Sequence, residues 1–232
     1  PASWWLWSPL TENKEDVEAC RNKTFAALEN PLGGTGFWLD PVLLGRYPLD
    51  FLQTWESYLP RISQEDMKVI SEPIDFVGMN VYQTYVGRAG GEGTCENVSH
   101  RKGYAKTMAS WPVTPKALYW GPKFYWERYH KPIVITENGM SNEDWIHLDG
   151  RVHDPQRIDF THRYLSSLKR AAEEGVDIRG YFHWTFTDNF EWSRGYEERF
   201  GMVYVDFETR ERVIKDSGFW YRDVILSNGE CL

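Results

Sequence analysis

Three runs of β-forming residues constrain this chain more than anything else in it: Ile74 to Asn80 (IDFVGMN), Ile133 to Glu137 (IVITE) and Ile178 to Phe186 (IRGYFHWTF). Stretches of helical character separate them. Pro115 to Tyr129 reads as one helix, and Asp154 to Glu174 as a longer one, opened by Asp154-Pro155 and stopped by Gly175. A last helix is expected from Ser217 to Ile225. Strand, helix, strand, helix, strand is the order of a parallel α/β layer, whose near-continuous apolar strands need cover on both faces. A closed parallel barrel requires eight strands, and a three-stranded parallel fragment would leave two long edges unpaired. The chain therefore reads as the second half of a barrel.

Upstream, helices are expected over Asp16 to Leu28 and Pro48 to Tyr58, and Ser63-Gln-Glu-Asp66 resembles a capping-box start for a short helix through Ile70. Pro31 to Gly36 (PLGGTG) has neither a preceding strand nor a phosphate-loop Lys and is read as a turn. Tyr85 to Trp111, rich in Gly and polar residues, is expected to be a long loop or short hairpin over the active-site face. Without repeats, low-complexity tracts or an evident linker, residues 1 to 232 are read as one domain. The first residues, Pro1-Ala2-Ser3, lack an initiator Met and a signal-peptide pattern, so the chain is expected to be processed, trimmed or cut from something longer.

Composition narrows the partners. With 41% hydrophobic and 26% charged residues the chain can bury a core. A net charge of -8 repels phosphate backbones and anionic lipid surfaces, which argues against nucleic acid and membrane partners. No apolar run reaches the roughly 18 residues of a membrane helix. Three widely spaced cysteines, Cys20, Cys95 and Cys231, favour free thiols in a reducing compartment, hence a cytoplasmic setting. Six histidines without HExxH or HxH spacing imply no metal, and no GxSxG elbow is present.

Aromatic residues make up 16% of the chain, and flat apolar rings serve cores as well as the C–H faces of sugars. In parallel α/β barrels the reactive groups sit at the C-terminal ends of strands. Here those ends offer Asn80 and Tyr82, then Glu137, then Trp184 followed by Asp188-Asn-Phe-Glu-Trp192. The segments GMNVY (78–82), VITENG (134–139), HWTFTDNFEWSRGYEERFGMVYVD (183–206) and KDSGFWY (215–221) together resemble glycoside hydrolase family 1, the retaining β-glycosidases. The resemblance covers essentially the whole chain and weakens before residue 70. It implies an α/β fold, the C-terminal half of a (β/α)8 TIM barrel holding strands six to eight with their helices.

The same resemblance implies roles. Glu137 matches the nucleophile that attacks the anomeric carbon, and Tyr82 donates its phenol to that carboxylate. Asn80 reaches the sugar 2-hydroxyl. Trp184 lies under the sugar, Glu191 accepts from two adjacent hydroxyls, and Trp192 adds an indole donor. For one of the two Trp residues core packing is the competing reading, and Phe200, matching a pocket aromatic, is the member of the set most suited to plain core. Trp111 is either a stacking surface for the leaving group or a hydrophobic staple onto the helix at Pro115. Glu191 also disfavours a 6-phosphorylated sugar through like-charge repulsion, so non-phosphorylated β-hexosides are expected.

A retaining glycosidase needs a second carboxyl about 5 to 5.5 Å from the first, with a raised pKa. In the family that acid lies in an Asn-Glu-Pro motif, which this sequence lacks. Ser71-Glu72-Pro73 precedes a strand instead of ending one. The expected partners are thus a β-glycoside substrate and an N-terminal half of the barrel, whether a separate chain, a cleaved segment or a missing part. No cofactor is implied. The competing class is a non-catalytic carbohydrate-binding or scaffold half-barrel, and a self-associating half-barrel is a third reading.

Overall fold

The computed structural model describes residues 5–26 and 34–232. In chain order they form β1 (Trp7–Pro9), α1 (Lys14–Phe25), α2 (Thr35–Leu44), α3 (Leu49–Trp55), α4 (Gln64–Ile70), β2 (Val77–Asn80), β3 (Tyr85–Ala89), β4 (Cys95–Asn97), α5 (Ala117–Tyr129), β5 (Ile133–Asn138), α6 (Pro155–Glu173), β6 (Ile178–His183), β7 (Val203–Val205), β8 (Arg212–Ile214) and α7 (Asp216–Leu226).

The frame is a parallel sheet in the order β2-β5-β6, built from the three runs that define the sequence. Alternation decides what each face buries. Val77, Met79 and Val81 stand beside Ile133 and Ile135 on one face, all nearly solvent-free and packed with residues of α5 and α6. α6 places Phe160, Tyr164, Leu165, Leu168 and Ala171 toward that core, the spacing of one helical face. Gly175, with φ at +96°, ends this helix as expected. The other face carries Gly78, Asn80, Val134 and Thr136, none fully buried, and Phe182 of β6, 61% exposed. Cover on both faces was the expectation; among the described residues only the helical face is closed, and β6 pairs with β5 alone among the described strands.

Two smaller sheets flank the frame. β1 pairs in parallel with β3, and β3 turns back antiparallel on β4, so the expected hairpin within 85–111 is present. β7 and β8 form an antiparallel hairpin after β6.

Several boundaries follow from caps. Ser63 closes a full capping box with Asp66 at the start of α4, as its sequence pattern required. Asn13 accepts from the Asp16 amide at 2.7 Å and starts α1 ahead of the expected Asp16. Residues 27 and 28 of that expected helix lie outside the described residues. So do Pro31 to Gly33 of the expected turn, but Thr35 and Gly36 open a helix, and there the turn reading is overturned. Gly36 lies so near the end of α1 that a Cβ would sit 2.3 Å from the Phe25 carbonyl oxygen. Its glycine answers a close approach instead of a turn. Asp154 also departs from expectation: it precedes α6 without capping it, and its carboxylate accepts from Arg157 and from the Ser217 amide and hydroxyl.

Tyr164 links the core to the exit of β2. Its buried hydroxyl donates to the Tyr82 carbonyl at 2.9 Å and accepts from the Thr114 amide at 2.9 Å. Tyr164→Phe leaves both backbone groups unpaired in a dry place, so urea unfolding should register a loss of about 1–3 kcal/mol.

Candidate active site

The three strand ends converge on one cleft of about 430 Å³. All eight residues singled out in the sequence line it: Asn80, Tyr82, Trp111, Glu137, Trp184, Glu191, Trp192 and Phe200. Gln83, Ser193 and Arg194 complete the wall and were not foreseen. Only their adjacency to Tyr82 and Trp192 in sequence could have pointed to them. Larger grooves exist elsewhere, including one of about 890 Å³ beside β6 lined largely by apolar groups. It lacks paired carboxylates; the smaller cleft holds Glu137 and Glu191 together.

Irregular register aims the side chains. β2 and β5 run in step until Met79, then slip so that Asn80 faces Glu137, and a further irregularity sets Asn138 opposite His183. Asn138 is buried and ties three strands together. Its Nδ2 donates to the Val81 carbonyl at 2.8 Å, and its Oδ1 accepts from the Tyr181 hydroxyl at 2.9 Å. Gly139 follows because nothing larger fits: a Cβ there would lie 1.8 Å from the Trp184 carbonyl oxygen. The peptide joining Trp184 to Thr185 is cis.

Tyr82 donates to Glu137 Oε2 at 2.8 Å. Burial pushes the Tyr82 phenol well above its usual range, and the Glu137 charge adds to that, so the phenol stays protonated as a donor. Asn80 accepts from the Thr136 hydroxyl at 2.6 Å through Oδ1, which leaves its Nδ2 as the group available to a ligand. Glu191 is raised above the ordinary carboxylate range chiefly by burial, with Glu137 and Glu198 reinforcing the shift and the Trp184 indole opposing it. Its Oε2 is buried without a hydrogen-bond partner in the structure, an acceptor suited to a sugar hydroxyl.

The aromatic wall divides by exposure. Phe200 is 2% exposed, packs 6.4 Å from Tyr82 and 6.0 Å from Trp111 between ring centroids, and floors the cleft as core and pocket at once. Trp111 tilts against Tyr82 at 5.1 Å. Trp192 is 80% exposed at the mouth, and Trp184 is half-buried, so the core-packing reading holds for neither. Arg194 bridges the loops, donating to Glu198 at 2.8 Å and toward the Ala109 carbonyl at 3.4 Å.

Beneath this loop lies a solvent-free charge cluster. Lys215 donates to Asp144 at 2.6 Å and Asp188 at 2.8 Å; Arg157 donates to Asp144 at 2.7 Å and also to Asp154. Arg199, a third cation at the edge of the cluster, donates to Asp188 at 2.7 Å. Burial works to raise the Asp144 carboxyl, but Arg157 and Lys215 outweigh it and hold it below the usual range. No group of three or more His, Cys, Asp or Glu among the described residues is placed to hold a metal ion, and none of their helices is long and apolar enough to cross a membrane.

A family model described as Glycosyl hydrolase family 1 matches residues 5–230. The chain belongs to glycosyl hydrolase family 1. Among family 1 relatives it is 38% identical over 224 residues to β-glucosidase A of Thermotoga maritima, covering 96% of this chain and 49% of that protein. It is 36% identical to a bifunctional β-D-glucosidase/β-D-fucosidase of Bifidobacterium breve, covering 92% of this chain and 51% of that one. The solved T. maritima β-glucosidase in complex with glucoimidazole superposes with a TM-score of 0.79 at 38% identity, again over 96% of this chain and 49% of the other. The fold is thus that of about half a TIM-barrel glycosidase, and this family 1 chain spans about half the length of the curated relatives it matches.

His183 ends β6 opposite Asn138. Its Nε2 is buried without a hydrogen-bond partner in the structure, and burial with the nearby Arg157 and Lys215 charges lowers its pKa to about 3. An unfolded chain would bind this proton first as pH falls, from about pH 6.5. The stability attached to neutral His183 is therefore full above that value and is lost as pH falls toward the folded pKa. The unfolding free energy from urea titrations should decline by about 1 kcal/mol between roughly pH 7 and 5.5, and His183→Phe should flatten that slope.

Proposed function

We propose that this chain supplies the nucleophile and sugar-binding wall of a retaining β-glycosidase acting on non-phosphorylated β-hexosides, with β2, β5 and β6 serving as strands six, seven and eight of the barrel. The observation that carries the reading is the Tyr82 to Glu137 hydrogen bond at 2.8 Å inside a cleft that also holds Glu191. The phenol fixes one carboxylate oxygen and leaves Oε1 to attack the anomeric carbon. The carbon–oxygen bond to the leaving group breaks as a glycosyl ester forms on Glu137, and water then cleaves the ester.

Asn80 Nδ2 is positioned for the 2-hydroxyl, a contact that strengthens as positive charge develops on the ring. Trp184 and Trp192 give the sugar an apolar surface and an edge donor, while Glu191 takes adjacent hydroxyls. A 6-phosphate beside Glu191 would place like charges together in a partly dry pocket, which supports a neutral glycone. Names of the relatives, β-glucosidase and β-glucosidase/β-fucosidase, support a gluco- or fuco-configured sugar. The general acid/base that protonates the leaving oxygen comes, in this reading, from a further half of the barrel, in keeping with coverage of about half of each relative.

Complementation tests the assignment. Co-expressed with the first half of a family 1 β-glucosidase, the chain should hydrolyse an aryl β-glucoside, and alone it should not. Glu137→Gln in the complemented enzyme should lower turnover about a thousandfold or more, and a 2-deoxy-2-fluoroglucoside should label Glu137 by peptide mass. Undiminished hydrolysis by Glu137→Gln refutes the nucleophile, and turnover by the isolated chain refutes the missing acid.

A further inference from the structure

We propose that Cys20 and Cys95 form a redox-operated disulfide that staples α1 to the β3–β4 hairpin. Their sulfurs lie 3.6 Å apart although 75 positions separate them in sequence. Cys20 is fully buried on α1, whereas Cys95 opens β4 and is only part-buried, so an oxidant can reach the second thiol before the first.

The seat for the two sulfurs is built into β3. Gly87 lies beneath them, and a Cβ at that position would stand 2.4 Å from Cys95 Sγ and 2.6 Å from Cys20 Sγ. No backbone reason requires glycine there: Gly87 is absent from the positive-φ residues and keeps regular strand pairing on both sides. Its role is space. Trp7 closes the third side, with a ring carbon 3.2 Å from the same hypothetical Cβ. A packed pair over a bare glycine presents two thiols to each other and to little else.

The pair also has an asymmetry suited to exchange. A hydrogen bond from Cys20 and the nearby Lys23 charge hold the Cys95 thiol below its usual range, while the same hydrogen bond and burial raise Cys20. Cys95 is thus the attacking thiolate. With glutathione disulfide as the oxidant, Cys95 S⁻ displaces one glutathione thiolate and forms a mixed disulfide. Cys20 then gives up its proton, attacks Cys95 Sγ and releases the second glutathione. Two protein thiols are oxidised to one disulfide, and one glutathione disulfide is reduced to two thiols.

The enclosed segment runs through α2, α3, α4 and β2, so closure would restrict the helical region and the strand that presents Asn80. This inference stands independently of the proposed reaction. The test uses the intact chain incubated with glutathione disulfide. Free thiols should fall from three to one. Trypsin should then release residues 15–21 joined to residues 89–101, a species that dithiothreitol removes. The thermal midpoint should rise by roughly 5 to 15 °C on oxidation, and not in Cys20→Ser or Cys95→Ser. Cys20→Ser should retain glutathione on Cys95, because the resolving thiol is gone. Three surviving thiols, a stable glutathione adduct on the unaltered chain, or a cross-link to Cys231 would each overturn the proposal.

Discussion

Lys215 and Arg157 have no solvent contact, and the carboxyl groups of Asp144, Asp154 and Asp188 close around them. An isolated buried ion would cost several kcal/mol to dehydrate, so each member is tolerable only while the others remain in place. Geometry therefore becomes obligatory across four separate stretches of chain: the loop after β5, the start of α6, the loop after β6 and the start of α7. Asp188 is the member that matters most for the cleft. It accepts from Lys215, from Arg199 and from the Gly201 amide at 2.9 Å, pinning both ends of the segment that carries Glu191, Trp192 and Phe200.

On that foundation the cleft separates its two carboxylates by environment. Glu137 has a phenol donor at hydrogen-bond distance on one of its oxygens. Glu191 is raised by burial and retains an unpaired oxygen, which favours a neutral hydroxyl as its next partner. The dry floor of Phe200, Tyr82 and Trp111 strengthens every polar contact made above it, and the exposed ring of Trp192 leaves the mouth wet. The two acidic groups of one cleft thus sit in different surroundings.

Much of this was legible because local and global demands coincide. The β2, β5 and β6 runs, the Ser63 box and the Gly175 stop announce themselves through pattern and cap chemistry. Asn80, Tyr82, Glu137 and Trp184 lay at or just after a strand end, where short motifs carry the information. Other features depend on encounters between distant segments. Asp154 looked like a helix cap, yet Arg157 and Ser217 claim its carboxylate. The glycines before α2 resembled a turn, although Gly36 serves a close pass by Phe25. The pairing of β1 with β3 joins strands about 80 positions apart through a register that no local period encodes. Arg194 entered the cleft through Glu198 and Ala109, contacts invisible to spacing.

The outer strand β6 leaves Phe182 at 61% exposure, and Phe186 just beyond it is at 77%, beside a groove that also receives Ile225 and Leu226. An unpaired parallel edge flanked by aromatic side chains is a template for whichever strand arrives first. Another molecule's edge can add to β6 in the same way, so self-association should rise with concentration.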